Sequence, residues 1–295
     1  MLDVQPNEFV IDPAVGSGGF LLHALELVRN KVEDYQTPGT DEYYRMWSDF
    51  ANEQLFGIEI NDEIARVAKM NMILHGDGHT NIVCTDALTP QVSLKQLNRG
   101  LRFGEFDVVL TNPPFGASVR LEERPFLSTF EFLGNTRTAR GKLTPRKTQS
   151  SEVIFIERVW HLLRPGTGRS GIVLPDGVLT NSRLSYVRKF ILDQFQVLAV
   201  VSLPVSAFAH YGAGVKASIV FLRKLGVDEN PDLTLPVFLA EAELVGYDAT
   251  GRECPNQLPD ILAAYRDFLT EPAKNLVEIP TLVPTAEQGE PDGDK

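Results

Sequence analysis

Apolar runs alternate with stretches of helical periodicity along most of the chain, and no other feature narrows the possible folds as far. "EFVIDP", "EQLFGIEI", "NIVCTD", "FDVVLTN", "SGIVLPDG", "VLAVVSLP" and "KASIVFLRK" read as strands. Among them lie "GGFLLHALELVRNKVEDY", "NDEIARVAKMNMILHG", "SEVIFIERVWHLLRPG" and "RLSYVRKFILDQF", whose apolar residues recur at helical spacing. Asn61 or Asp62 is a suitable cap for the second helix and Gly76 a suitable stop, while Ser150 or Ser151 would cap the third. Continuous Val/Ile/Leu strands separated by helices define the α/β class, with a parallel sheet covered on both faces. The last connection, "VSAFAHYGAGV", is too short for a parallel crossover, so the final strand is expected to run antiparallel. Past Leu225 come one more strand-like piece, "LPVFLAEAEL", and a helix, "LPDILAAYRDFL". The expected organisation is a main domain over 1–225, a C-terminal extension of that domain over 226–283, and a disordered polar tail over 284–295.

Charge enters the argument in two ways. The net charge of −11 opposes a general nucleic-acid-binding role, because phosphate contacts need Lys and Arg. Between Ala117 and Ser150, however, Arg120, Arg124, Arg137, Arg140, Lys142, Arg146 and Lys147 stand against only Glu122, Glu123 and Glu131. That excess reads either as a solvated mobile loop or as a surface facing a polyanion. No apolar run reaches the ~18 residues of a membrane helix, and no basic-then-apolar leader is present, so a cytoplasmic location is expected. Cys84 and Cys254 form neither a metal-like spacing nor a disulfide framework, and no metal is expected.

"DPAVGSGGF" follows the first strand and opens the first helix, where glycines let backbone N–H groups approach a ligand. A Walker loop would end in Gly-Lys-Ser/Thr, but Phe20-Leu21 stand there. A dinucleotide loop would carry a third small residue where Leu22 stands, and Asp12 would oppose a pyrophosphate. An acidic strand end suits a ligand with a cationic part, such as S-adenosylmethionine. Glu59, ending "GIEI", is placed to accept from ribose hydroxyls. It lies further along than the usual ~20 residues, which the segment "VEDYQTPGTDEYYRMWSDFANE" explains as an insertion. Asp86, in "CTDAL", is placed to accept from an adenine amino group.

The fourth strand leaves through Asn112-Pro113-Pro114-Phe115. Proline fixes its own φ and restricts the residue before it, so the acceptors of this turn are held in nearly fixed directions. A nucleobase amino group is a poor nucleophile because its lone pair is delocalised. Two acceptors, Asn112 Oδ1 and the Pro113 carbonyl, would draw the nitrogen toward tetrahedral geometry, and they would act most strongly in the transition state. Phe115 would stack on the base, which would have to be flipped out of a duplex.

"DPAVGSGGF", "GIEIN", "TDAL" and "NPPFG", in that order, resemble the N-6 adenine-specific DNA methyltransferases. "TQSSEVIFIERVWHLLRPGTGRSGIVLPDGVL", "LPVSAFAHYGAGVKASIVFLRK" and "VGYDATGRECPNQLPDILAAYRDF" resemble more specifically the modification subunit of type I restriction-modification systems. The resemblance implies a seven-stranded methyltransferase sheet with an antiparallel last strand, and adenine methylation from S-adenosylmethionine. It implies that Asp12, Gly16, Ser17, Gly18 and Gly19 line the methionine part of the cofactor, that Glu59 holds the ribose and that Asp86 holds the adenine. Asn112 to Phe115 would be the catalytic turn, with Phe208 near the target base. The implied partners are DNA, a specificity subunit that reads it, and a restriction subunit. Family members begin with a helical region and a Phe-Thr-Pro-type motif, so a chain shortened at its N-terminus is expected. The rival readings are amino methylation of cytosine, RNA or protein glutamine, and a cofactor-binding subunit without turnover.

Overall fold

The computed structural model describes residues 1–76, 81–137, 141–209 and 214–272. Its centre is an eight-stranded sheet. In chain order the strands are β1 (Val10–Asp12), β2 (Leu55–Glu59), β3 (Ile82–Cys84), β4 (Val108–Thr111), β5 (Arg169–Pro175), β6 (Phe195–Ser202), β7 (Ala217–Lys224) and β8 (Phe238–Glu241). Their spatial order is β8-β6-β7-β5-β4-β1-β2-β3. All neighbours pair in parallel except β7, which is antiparallel to both β5 and β6. The seventh strand therefore runs as its short connection requires. The sheet has one strand more than the seven expected, because "LPVFLAEAEL" joins it as β8, pairing with β6 from Ala199–Phe238 to Ser202–Glu241. The chain reaches β8 past the start of β6, where the amide of Gln196 exchanges two hydrogen bonds with the Asp232 backbone, at 3.1 and 2.9 Å.

Period-two alternation divides the strands between two cores. Val10, Leu55 and Val108 point to one face; Ile11, Phe56 and Val109 point to the other. The first face is covered by α1 (Gly19–Glu33), α2 (Asp41–Asp49) and α3 (Asp62–Leu74), with α7 (Leu258–Thr270) at the far edge. The second is covered by α4 (Gln91–Leu97), α5 (Ser151–Leu162) and α6 (Ser185–Gln194). Helix α1 buries Leu21, Leu25, Val28 and Val32, the stripe its spacing predicts. Helix α3 begins at Asn61, whose Oδ1 accepts from the N–H groups of Glu63 and Ile64, and gives way at Gly76, with φ of 89°. The inserted segment before β2 forms α2 and one π-helical turn, and buries Tyr43 and Phe50.

Helix α5 is buried on nearly every side. Below it lies the sheet; above it lies the basic segment after the Asn-Pro-Pro-Phe turn. That segment is not a loose loop. Ser118–Arg120 pairs antiparallel with Thr148–Ser150, and Asn135–Arg137 with Leu143–Pro145. Leu127, Phe130 and Leu133 are buried in the second core, which rules out the solvated reading for this part. Glu157 on α5 accepts from the N–H groups of Phe132 and Leu133 at 3.2 and 2.6 Å. The expected tail, 284–295, and Arg140 lie outside the described residues.

Candidate active site

From β1 the chain turns to β2 and β3 on one side, and from β4 to β5 on the other. The carboxyl ends of β1 and β4 therefore flank the switch point where open α/β sheets bind ligands. A cavity of about 450 Å³ opens there. Gly16, Glu59 and Asp86 line it, and so do Asn112 and Pro114. Asp12, Ser17, Gly18, Gly19, Pro113 and Phe115 are not among its lining residues. Gly16, Glu59 and Asp86 thus meet Asn112 and Pro114 at one cleft, while Asp12 is buried.

The glycine loop is shaped by backbone geometry. Gly18 has φ of 95°, a conformation that side chains disfavour, and it turns the chain into α1. The Val15 N–H donates to the Ile58 carbonyl at 3.0 Å, which brings the loop down on β2. Gly57 permits this approach: a Cβ there would stand 2.7 Å from Ile82 Cδ1 and 3.0 Å from Val15 Cγ2. Asp12 accepts from the Ala14 N–H at 2.9 Å. Burial pushes its carboxyl up to about 7, opposed by that bond and by the nearby Thr111 hydroxyl, and reinforced by the charge of Glu59. The Thr111 hydroxyl is itself buried and stands outside full hydrogen-bond geometry.

The wall of the cleft is rich in acceptors. Glu59 accepts from Gly16 N–H at 3.1 Å and from Asn61 N–H at 2.9 Å, one bond to each oxygen, which leaves further acceptor capacity on both. Asp86 accepts from the Leu88 N–H at 2.9 Å through one oxygen. A Cβ on Gly16 would meet nothing within 4 Å, so the loop leaves open space beside the cavity. Carboxylates, an open glycine and an apolar lining that includes Ile58, Leu88 and Phe155 fit an adenosine-type ligand with a cationic end.

In the turn, Asn112 is exposed, Pro113 is buried and Phe115 is half-buried. The Pro114 carbonyl accepts from Ser151 Oγ at 2.7 Å, and the Gly116 N–H donates to Glu152 Oε2 at 3.0 Å. Ser151, expected as a helix cap, directs its hydroxyl to the turn instead; Ser150 is the cap residue and makes no side-chain cap bond. Neither contact is visible in "TQSSEVIF", which signals only a helix start. Phe208 comes from the short helix Ser206–Ala209 and meets Phe115 edge to face, with centroids 5.8 Å apart. The Tyr247 hydroxyl donates to the Ala207 carbonyl at 3.0 Å and braces that helix.

The basic residues do not form a uniform wall. Arg124 lines the cavity and pairs with Asp86 at 3.1 Å, so it faces the Asp86 end of the cleft. Arg120 pairs with Glu123 at 3.2 Å, and Arg137 with Glu131 at 3.5 Å. Arg146 lies over the Tyr186 ring at 4.2 Å, while Lys142 and Lys147 are exposed. Arg158, buried in α5, donates to the Leu88 and Thr89 carbonyls, both at 3.0 Å, and so holds the loop after Asp86 from the other side. Among the described residues, no cluster of three His, Cys, Asp or Glu is placed to hold a metal, and no helix is long and apolar enough to cross a membrane.

Known proteins resemble this chain in sequence and in fold. The methylase subunit of the type I restriction enzyme StySPI from Salmonella potsdam is 30% identical over 234 residues, covering 79% of this chain and 39% of that subunit. The corresponding EcoKI subunit from Escherichia coli strain K12 is 29% identical over the same shares. The chain thus spans well under half the length of these curated relatives. A crystal structure of a modification subunit of a putative type I restriction enzyme from Vibrio vulnificus YJ016 superposes with a TM-score of 0.64. It is 23% identical and covers 93% of this chain and 51% of that one, a likeness of fold. Residues 1–252 match the family model described as N-6 DNA Methylase, and the chain belongs to that family.

Proposed function

We propose that this protein transfers a methyl group from S-adenosylmethionine to the exocyclic amino group of adenine in DNA, as the modification subunit of a type I restriction-modification system. One observation carries the reading: Asn112 and Pro114 line the same cavity as Gly16, Glu59 and Asp86. When bound, S-adenosylmethionine supplies an electrophilic methyl on its sulfonium. Glu59 would hold the ribose hydroxyls and Asp86 the adenine edge. Asp12 and the 16–19 loop would hold the methionine end, with Asp12 acting from beneath through the Ala14 N–H. Asn112 Oδ1 and the Pro113 carbonyl accept one N–H each from the target amino group, which localises its lone pair. The Pro114 carbonyl already accepts from Ser151 and is not one of the two acceptors proposed here. Phe115 offers its ring to the base, with Phe208 beside it. The base must leave the duplex to reach this turn.

Arg120, Arg137, Arg140, Lys142, Arg146 and Lys147 are assigned to the strand that delivers the base. The exposed ion pairs among them are worth little and can be exchanged for phosphate. A separate specificity subunit would read the sequence, and a restriction subunit would complete the assembly. This division accords with an acidic chain that is basic only locally. The relatives are methylase subunits of type I restriction enzymes, which supports a modification role within a larger assembly.

The test is labelled methyl transfer to DNA, with and without the neighbouring specificity subunit, followed by mass spectrometry of the product. N-6-methyladenine that disappears in Asn112→Ala supports the proposal. Label on cytosine, RNA or glutamine, or none with the partner present, would sink it.

A further inference from the structure

Two prolines do not by themselves make the catalytic turn rigid. Proline fixes φ and restricts the residue before it, so Asn112 and Pro113 are confined. Pro114 precedes Phe115, and its ψ, which aims its carbonyl and everything after it, is left free by the covalent structure. Gly116 follows with φ of 69°, a residue with wide backbone freedom. The turn therefore has a stiff first half and a loose second half, with Phe115 in the loose part.

The start of α5 supplies the missing restraint. Ser151 Oγ donates to the Pro114 carbonyl at 2.7 Å, which fixes the direction of that carbonyl. Glu152 Oε2 accepts from Gly116 N–H at 3.0 Å, and the Ser151 N–H donates to the Ala117 carbonyl at 2.8 Å. The bonds fall on both sides of Phe115. Ser151 Oγ also stands 3.4 Å from Glu152 Oε2, so the two side chains share one small network. Glu152 is 8% exposed and lies in the first turn of α5, where the helix dipole favours its charge.

We infer that Ser151 and Glu152 are positioning residues for methyl transfer, clamping the second half of the turn so that Phe115 keeps its direction beside the already confined acceptors ahead of it. The inference rests on the reading of this turn as the catalytic one. It requires contact with the backbone of the turn, not with the reacting atoms. Its parts differ in what they need: Glu152 must be an acceptor, and a neutral amide oxygen satisfies that geometry.

Two measurements test it, on the full chain assembled with its specificity partner. The first is the exchange rate of the Gly116 amide hydrogen. It is expected to be slow in the wild type and at least about ten-fold faster in Glu152→Ala, as for a bond that has opened. No acceleration overturns the clamp, whatever the activity. The second is the rate of methyl transfer. Ser151→Ala and Glu152→Ala are expected to lose about ten- to a hundred-fold, the scale of an ångström-sized misplacement, with the KM for S-adenosylmethionine unchanged within about two-fold. Glu152→Gln is expected to recover most of the loss. A wild-type rate in Glu152→Ala, a matching rise in KM, or failure of Glu152→Gln to recover overturns the positioning role. A wild-type complex with no transfer to DNA counts against the functional reading, while the exchange measurement still decides the clamp.

Discussion

The glycine loop and the Asn-Pro-Pro-Phe turn border the same cleft but are held by different means. The loop is set from within, by a left-handed Gly18, by the Val15–Ile58 backbone bond and by an absent side chain at Gly57. The turn is set from outside, by Ser151 and Glu152 reaching across from a helix almost forty residues later. A backbone-shaped loop leaves open space beside Gly16 for a ligand. A side-chain-clamped turn can be stiff where it must be and still expose Asn112. In the proposed function, the glycine end of the cleft would thus be built for access and the turn for aim.

Substitutions separate the two ends. The largest effect is expected at Asn112→Ala: transfer should fall about a hundred- to a thousand-fold, the cost of losing a donor or acceptor tuned to the transition state. Cofactor affinity and melting temperature should be unchanged; titration calorimetry and thermal melts check this. Equal weakening of cofactor binding would show that the ends are not separable.

Asp12→Asn acts on the other end and is read in the pH dependence of stability. Burial raises the Asp12 carboxyl to about 7, so the folded protein holds that proton more tightly than the unfolded chain does. Its contribution therefore falls as pH rises from about 4 to about 7, with a slope near 1 kcal/mol per pH unit. Glu157 is raised to about 7 by burial as well, so the check is the difference: stability of the wild type minus that of Asp12→Asn should fall with about that slope across the window.

Gly18→Ala should cost about 1–2 kcal/mol through its positive φ. It should weaken cofactor binding while the transfer rate at saturation stays within a few-fold. The smallest effect is expected at Arg124→Gln. Its pair with Asp86 is one-third exposed on the Arg124 side, so releasing Asp86 should tighten binding of S-adenosylhomocysteine by about two- to five-fold. Weaker binding would mean that Arg124 holds Asp86 for the ligand.

The glycine end was more legible in the sequence than the turn's support. Gly16, Glu59 and Asp86 sit at strand ends, and period and order along the chain bring strand ends to one edge; they meet as expected. The Asn61 cap and the antiparallel β7 follow from equally local signals. The sequence offers Ser150 or Ser151 as a cap because both stand at a helix start; the contact of Ser151 with Pro114 depends on where α5 lands in three dimensions. Arg124 was grouped with its basic neighbours by composition, yet its side chain enters the cleft because the segment folds back onto α5. The eighth strand was visible as an apolar run, but its place beside β6 depends on the Gln196–Asp232 crossing, which no short pattern carries.

Strand β7 runs against its neighbours, and so the chain leaves β6 and enters β7 at the same edge of the sheet. The whole connection between Ser202 and Ala217, with Phe208 on it, begins and ends on the cleft side. An antiparallel pair inside a parallel sheet thus brings both ends of one short connection to the rim of the cleft, where a parallel crossover would have returned the chain to the opposite edge.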